Sequence, residues 1–437
     1  MTLIKYTARF SIIFSEMFNK SLMKTEKVDI LIIGAGPSGA VAAAYLHKQN
    51  LKIKVVEKNI FPRFVIGESL IPRCMDHFEA VGLLPCLEAK NFEVKRGARF
   101  VTGKGDVCDF DFGEKFGEGW DWTWQVPRAD FDKTMTDELQ KWGVDIDFQK
   151  EVIAVDFEND GKSTTTIKDL DGNESLIEAK YIIDSSGWGR VLPRLLQLDK
   201  PSEIPKHATI FTHVKDVNRP DGREGTMITF DVIDTETWLW VIPFSNGDCS
   251  IGFVGPVDFL EFFKGSTTDK MKEMMKLSKY YFNRFDDVDY LFEPRQIKNF
   301  SASVKQLYGK GYALTGNSAE FLDPVFSSGV TFATESAHLS AKLITRELNG
   351  ETVDWETEYK EYIMYGVNVF STYVKEWYTG NLQKIFFHPT INMVIKEQIC
   401  AVLAGYVWNK DNPFVKNHDR LVKTVARVAE MEQERMA

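Results

Sequence analysis

A short apolar run, Val28-Asp-Ile-Leu-Ile-Ile33, ends at the turn Gly34-Ala-Gly36-Pro-Ser-Gly39, and the alanine-rich stretch from Ser38 to Lys48 reads as the helix that follows. Ile53 to Glu57 is a second apolar run, so the chain opens as strand, helix, strand, which commits it to a parallel sheet. A glycine turn at that junction lets backbone N–H groups and the positive helix end approach a pyrophosphate. Gly34, Gly36, Pro37, Ser38 and Gly39 are therefore candidate dinucleotide-binding residues. Glu57 ends the second strand, where a carboxylate accepts hydrogen bonds from a ribose diol and disfavours a 2′-phosphate. Glycines alone serve plain turns; strand, helix and distal acid together favour FAD or NAD.

With 437 residues the chain exceeds one ordinary core, and two or three closely associated domains are expected. The fold class is α/β: a Rossmann-like dinucleotide-binding domain interleaved with a β-sheet substrate domain, plus a C-terminal helical region. Residues 1–26 form an extension that should carry no function. Residues 27–98, 126–190 and 296–350 are assigned to the dinucleotide domain, 99–125 and 191–295 to the β-rich domain, and 351–437 to the helical region. The stretch from Arg99 to Trp124 is polar, aromatic and glycine-rich, as excursion strands would be. Val144 to Lys180 alternates around the turn Leu170-Asp-Gly-Asn173, and Trp238, Trp240 and Ile242 recur at period two. Val330 to Leu348 reads as a helix after the last buried strand, Tyr312-Ala-Leu-Thr315.

A net charge of -10 argues against nucleic acid as the main partner. Five scattered cysteines show neither zinc spacing nor a disulfide framework, which points to a reducing cytoplasm. No apolar run is long enough to span a bilayer, and the histidines form no metal-like cluster, so His338 is expected to pack.

Three later segments select FAD by resemblance. Ile183-Asp-Ser-Ser-Gly-Trp-Gly189 resembles the second flavin fingerprint of the FAD-dependent monooxygenases, implicating Asp184 and Gly187. Gly316-Asn-Ser-Ala-Glu-Phe-Leu-Asp-Pro324 resembles their ribityl-contacting turn, implicating Asn317 and Pro324, although that class usually carries aspartate at Asn317. Gln125-Val-Pro-Arg128 resembles the segment whose arginine lies near the cofactor. Trp238-Leu-Trp-Val-Ile-Pro243 matches the WxWxIP pattern of flavin-dependent halogenases, and Gly67-Glu-Ser-Leu-Ile-Pro72 resembles their GESxxP segment. Arg63, Gly67, Glu68 and Ser69 accordingly join the expected cofactor site. Lys95-Arg-Gly-Ala-Arg-Phe100 resembles the segment bearing the family's catalytic lysine, and Lys90 and Lys104 lack its following residues. Asp323-Pro-Val-Phe-Ser-Ser-Gly-Val330 resembles the halide loop of phenol and pyrrole halogenases, with Ser328 and Gly329 as amide donors. Tryptophan halogenases carry glutamate where this chain has Phe326, which implies a substrate that stabilises its own cation.

The resemblance implies reduced FAD from a separate flavin reductase, chloride or bromide, and an aromatic substrate held across Trp238 and Trp240 from the flavin, with Lys95 capturing or orienting hypohalous acid. An aromatic hydroxylase and a geranylgeranyl reductase-like oxidoreductase are the competing chemistries. A flavin-binding scaffold without turnover is the non-enzymatic one. Lys416, Arg420, Lys423 and Arg427 fall on one helical face opposite Leu421, Val422, Val425 and Val428 and could receive an acyl or peptidyl carrier protein, though a solvated face has the same pattern.

Overall fold

The computed structural model describes residues 24–202, 204, 206–298 and 300–436. The expected extension falls outside the described residues except for its end, where Thr25 and Glu26 already belong to the first strand. Thr25–Ile33 pairs in parallel with Ile53–Glu57 on one side and with Glu174–Asp184 on the other. Tyr312–Leu314 and Asp145–Phe148 extend the sheet outward, also in parallel, within an eight-stranded whole. Glu174–Asp184 changes partner along its length: its first half forms the expected hairpin with Ser163–Lys168, and its second half lies buried beside Tyr312–Leu314.

The crossover helix Pro37–His47 buries Ala40, Ala42, Ala43 and Ala44, whose methyl groups allow close approach to the first strand and to the helix Gly329–Leu348. Gly39 is the tightest point, since a Cβ there would stand 1.9 Å from the Gly34 carbonyl oxygen.

The second sheet has seven strands, in the order Arg295–Lys298, His207–Lys215, Asp248–Pro256, Trp238–Pro243, Ile228–Val232, Gly97–Thr102 and Val107–Asp111. Its strands take in Gly97 and Ala98 at one end and Gln296 to Lys298 at the other, slightly beyond the span expected from sequence. Alternation gives the sheet two apolar faces. Leu239, Val241, Ile251 and Phe253 pack with Met271 and Met274 in a separate core, while Phe230, Trp238, Trp240 and Ile242 face the main one.

The helix Tyr362–Tyr378 packs Trp377 between this sheet and the turn Pro324–Phe326: Trp377 is fully buried, with Phe100 at 5.4 Å and Phe326 at 5.9 Å between ring centroids. Of the four basic residues read onto one helical face, Arg420, Lys423 and Arg427 lie on the terminal helix His418–Met436 while Lys416 ends the separate short helix Pro413–Lys416; all four are exposed, but Lys423 lies 3.6 Å from Glu376 and Arg427 bonds Glu430 at 2.7 Å. Val422, Ala426 and Ala429 form its buried face, and Val428 is exposed, unlike the face read from sequence. Among the described residues no helix is long and apolar enough to cross a membrane, and no metal-binding cluster occurs. All five cysteines are free thiols.

Gly39→Ala should lower the stability of the ligand-free protein by about 2–3 kcal/mol, because the backbone oxygen it meets cannot move away cheaply. The measurement is the thermal midpoint against wild type; an unchanged midpoint contradicts the close packing described.

Candidate active site

One cavity of about 550 Å³ opens at the C-terminal ends of the parallel strands. Gly34, Gly36, Pro37 and Ser38 line its glycine end. A Cβ on Gly36 would have only the tip of Arg63 at 3.5 Å and Asp132 at 4.0 Å as neighbours, so the backbone there faces open space of the kind a pyrophosphate needs. Glu57 is held at the rim, one oxygen accepting from the Ala35 N–H at 3.0 Å and the other from the Asn59 N–H at 2.9 Å. Arg63 and Arg128 share the buried carboxylate of Asp132, at 3.1 Å for Arg63 Nη1 and at 2.8 and 3.0 Å for Arg128 Nε and Nη2. Arg63 Nε also lies 3.9 Å from Glu57, so two guanidinium groups and two carboxylates form one network that holds both arginines beside the glycine turn, where their remaining N–H groups can donate to bound phosphates. Asp132 was not singled out from sequence, although its place four residues after Arg128 on a helix is a readable signal.

Opposite, Ser38 Oγ lies 3.0 Å from Ser185 Oγ and donates to Thr315 Oγ1 at 2.7 Å, while the Ser185 and Thr315 hydroxyls meet at 2.8 Å. This contact joins the glycine turn to both later fingerprints. Gly187, Asn317 and Pro324 line the cavity, as do Glu57, Arg63, Gly67, Glu68, Ser69, Arg128 and Gly329. Asp184 stands behind the lining: its carboxylate accepts from Ser186 N, Leu192 N and Ser318 Oγ at 2.7–2.9 Å and shapes the turn that bears Gly187. Burial pushes its pKa up against those hydrogen bonds. Gly39 and Ser328 also lie outside the lining; Ser328 is buried, its carbonyl accepting from Phe332 N at 3.0 Å, while Ser327 and Gly329 on either side face the cavity.

The far end of the same cavity is apolar, lined by Ile228, Phe230, Trp238, Trp240 and Ile242. Both indole N–H groups are tied back, Trp238 to Tyr378 Oη at 3.3 Å and Trp240 to Ser250 Oγ at 3.1 Å. Gly252 makes room for Trp240, since a Cβ there would stand 2.3 Å from its ring. Lys95 is 2% exposed and adjoins the cavity through Ser69, donating to Ser69 Oγ at 2.8 Å and to the Leu70 carbonyl at 2.7 Å. Burial pulls its amine down to about 7. Glu68 is paired with His213 Nε2 at 2.7 Å. Phe326 packs edge-on against Tyr373 and Trp377, away from the cavity. His338 packs against Tyr45 and His77, and burial lowers it to about 4, in line with the packing role expected.

A glycine cradle flanked by two arginines, a ribose acid and two later turns converging on it is the site of an FAD-dependent flavoprotein. Family comparison agrees: the FAD binding domain family matches residues 27–355, and the chain belongs to it, with FAD as its cofactor. The chain is 27% identical over 385 residues to a pyrrole-2-carbonyl peptidyl-carrier-protein brominase of Pseudoalteromonas luteoviolacea, covering 86% of this chain and 91% of that protein. It is likewise 27% identical to the corresponding chlorinase of Pseudomonas fluorescens, covering 82% of this chain and 85% of that one. Among solved structures, a flavoprotein/dehydrogenase of Cytophaga hutchinsonii superposes with a TM-score of 0.91 at 48% identity, covering 93% of this chain and all of that one.

Gly36→Val should leave the ligand-free protein folded, because its branch projects into open space, yet abolish FAD binding in calorimetry. Unchanged FAD affinity would contradict the placement of the pyrophosphate.

Proposed function

We propose that this protein is a flavin-dependent halogenase acting on an electron-rich aromatic ring of the phenol or pyrrole class. The observation that carries the reading is that Trp238 and Trp240 wall off the far end of the cavity whose near end is the FAD cradle. Likeness to two enzymes that halogenate a carrier-bound pyrrole supports the substrate class. Bound and reduced, FAD supplies the two-electron activation of oxygen by which halide is oxidised. The chain's own residues position and shield. Gly36, Arg63 and Arg128 hold the pyrophosphate, Glu57 the ribose, and the aromatic wall keeps a substrate ring from the flavin while excluding water.

Lys95 holds the oxidised halogen. Its amine sits at a pKa of about 7, so near neutrality a large fraction is unprotonated and able to take halogen on nitrogen, whereas an exposed lysine is almost wholly ammonium. The amides opening the helix Gly329–Leu348, those of Ser328 and Gly329, are the proposed halide donors. Phe326 offers no carboxylate to stabilise a poorly activated ring, which disfavours free tryptophan as substrate. A separate flavin reductase supplies the reduced cofactor, and a carrier protein is the proposed delivery partner. A second reading, an FAD-dependent oxidoreductase that ignores halide, is favoured by the 48% identical flavoprotein/dehydrogenase.

Mass spectrometry of phenols, pyrroles and pyrrolyl carrier thioesters, incubated with a flavin reductase and chloride or bromide, separates the two. Products bearing halogen, dependent on halide and oxygen, are expected; oxidised products formed equally without halide favour the second reading. Lys95→Met, which keeps the buried volume, should retain FAD binding and flavin oxidation but lose halogenated product, while Lys90→Met and Lys104→Met, both at exposed positions, stay active. Wild-type product yield from Lys95→Met would remove the lysine from the mechanism.

A further inference from the structure

Behind the tryptophan wall, a buried run of hydrogen bonds joins three segments far apart in sequence. The Trp238 indole donates to Tyr378 Oη at 3.3 Å, and Tyr378, the last residue of the helix Tyr362–Tyr378, places that hydroxyl 3.1 and 3.0 Å from the two oxygens of Asp323. Asp323 also accepts from Val325 N at 3.0 Å, so it shapes the loop that leads to Gly329. His207 stacks on the Tyr378 ring with centroids 4.0 Å apart, its Nδ1 3.9 Å from Asp323. Trp238, Tyr378 and Asp323 are 1%, 7% and 2% exposed. Water therefore does not compete for these bonds.

The chemistry gives the run a direction. An indole nitrogen only donates, so the Tyr378 oxygen accepts from it; its single O–H then points to Asp323, which as a carboxylate only accepts. The run is complete when Asp323 is ionised. We infer that Tyr378 is a positioning residue, clamping the tryptophan wall to the loop 323–329 so that these two parts of the cavity lining hold one fixed spacing. Trp238 lines the cavity, and so do Pro324, Ser327 and Gly329 of the loop. Their spacing governs whether an oxidised halogen formed near the loop meets the ring or escapes.

The groups facing Asp323 are Tyr378 from the helix and His207 from the strand His207–Lys215; the charge of Glu236, on the turn before Trp238, also acts on Tyr378. Burial raises the Asp323 carboxyl to about 7. The sign follows: as pH falls through that value the carboxyl gains a proton, becomes a donor, and competes with the direction of the run. Above it the clamp is whole.

The clamp as a contact stands on geometry alone, and its effect on catalysis rests on the halogenase reading. The experiment treats the two separately. In FAD-free protein carrying isotope-labelled tryptophan, the Trp238 indole N–H resonance is assigned by its loss in Trp238→Phe and followed across pH. It should titrate with a midpoint of about 7 in wild type, stay flat in Asp323→Asn, and sit at a shifted, pH-independent position in Tyr378→Phe, with thermal melts showing each variant folded. With FAD, reductase and halide, Tyr378→Phe should yield about three- to tenfold less halogenated product per flavin oxidised, at unchanged FAD affinity. Asp323→Asn should flatten the acid limb of the same ratio. An indole resonance that ignores both pH and Tyr378→Phe overturns the clamp. So does unchanged product per flavin in a wild type that halogenates. A wild type that forms no halogenated product overturns the function reading, and the indole resonance still decides the clamp.

Discussion

The hydroxyls of Ser38, Ser185 and Thr315, mutually within 3.0 Å, are the point on which this architecture turns. Each belongs to a different pass of the chain through the parallel sheet, and each follows or opens a turn that lines the cavity. Buried hydroxyls left without partners would cost about 1–3 kcal/mol each, so the three passes are held in one arrangement. From that point the glycine turn faces the pyrophosphate position and the last turn leads on through Asp323 to Gly329. The small side chains of the crossover helix let the helix Gly329–Leu348 pack at the same depth.

A second constraint is the alternation of Trp238–Pro243. Because side chains leave a strand on alternate faces, Trp238, Trp240 and Ile242 must share one face while Leu239 and Val241 build a different core. The helical region completes that face. Trp377 fills the space between Phe100 and Phe326, and Tyr378 reaches the Trp238 indole. The wall, the loop and the cradle thus belong to one packed unit, even though three stretches of chain build the parallel sheet and two build the other.

The parts of this arrangement legible in the sequence are those governed by local spacing. The glycine turn, the hairpin around Leu170 to Asn173, the period-two aromatics and the helix after Val330 all formed where their residues indicated. Family patterns located the later turns, since nothing in Ile183 to Gly189 by itself announces a flavin. Side-chain direction was not legible. Asp184 reads as a cofactor contact, yet its oxygens bond backbone and Ser318 and it stands outside the cavity lining. Ser328 lies between two cavity-lining neighbours without facing the cavity itself, and Lys95 meets it through Ser69. Asp132, His207 and Tyr378 carry no sequence pattern that names them, because their roles arise only when distant elements meet. Likewise the strand Arg295–Lys298 could be assigned to a sheet only by its pairing with Ala208–Phe211.

The central claim is that the aromatic wall separates flavin chemistry from the substrate, so that halogen and not oxygen reaches the ring. Turnover of a phenol or pyrrole substrate under isotopically heavy dioxygen, with reduced FAD and bromide present, tests it directly by product mass. A product that gains bromine and carries no heavy oxygen is the result this account predicts. A hydroxylated product bearing heavy oxygen, formed with or without bromide, would contradict it.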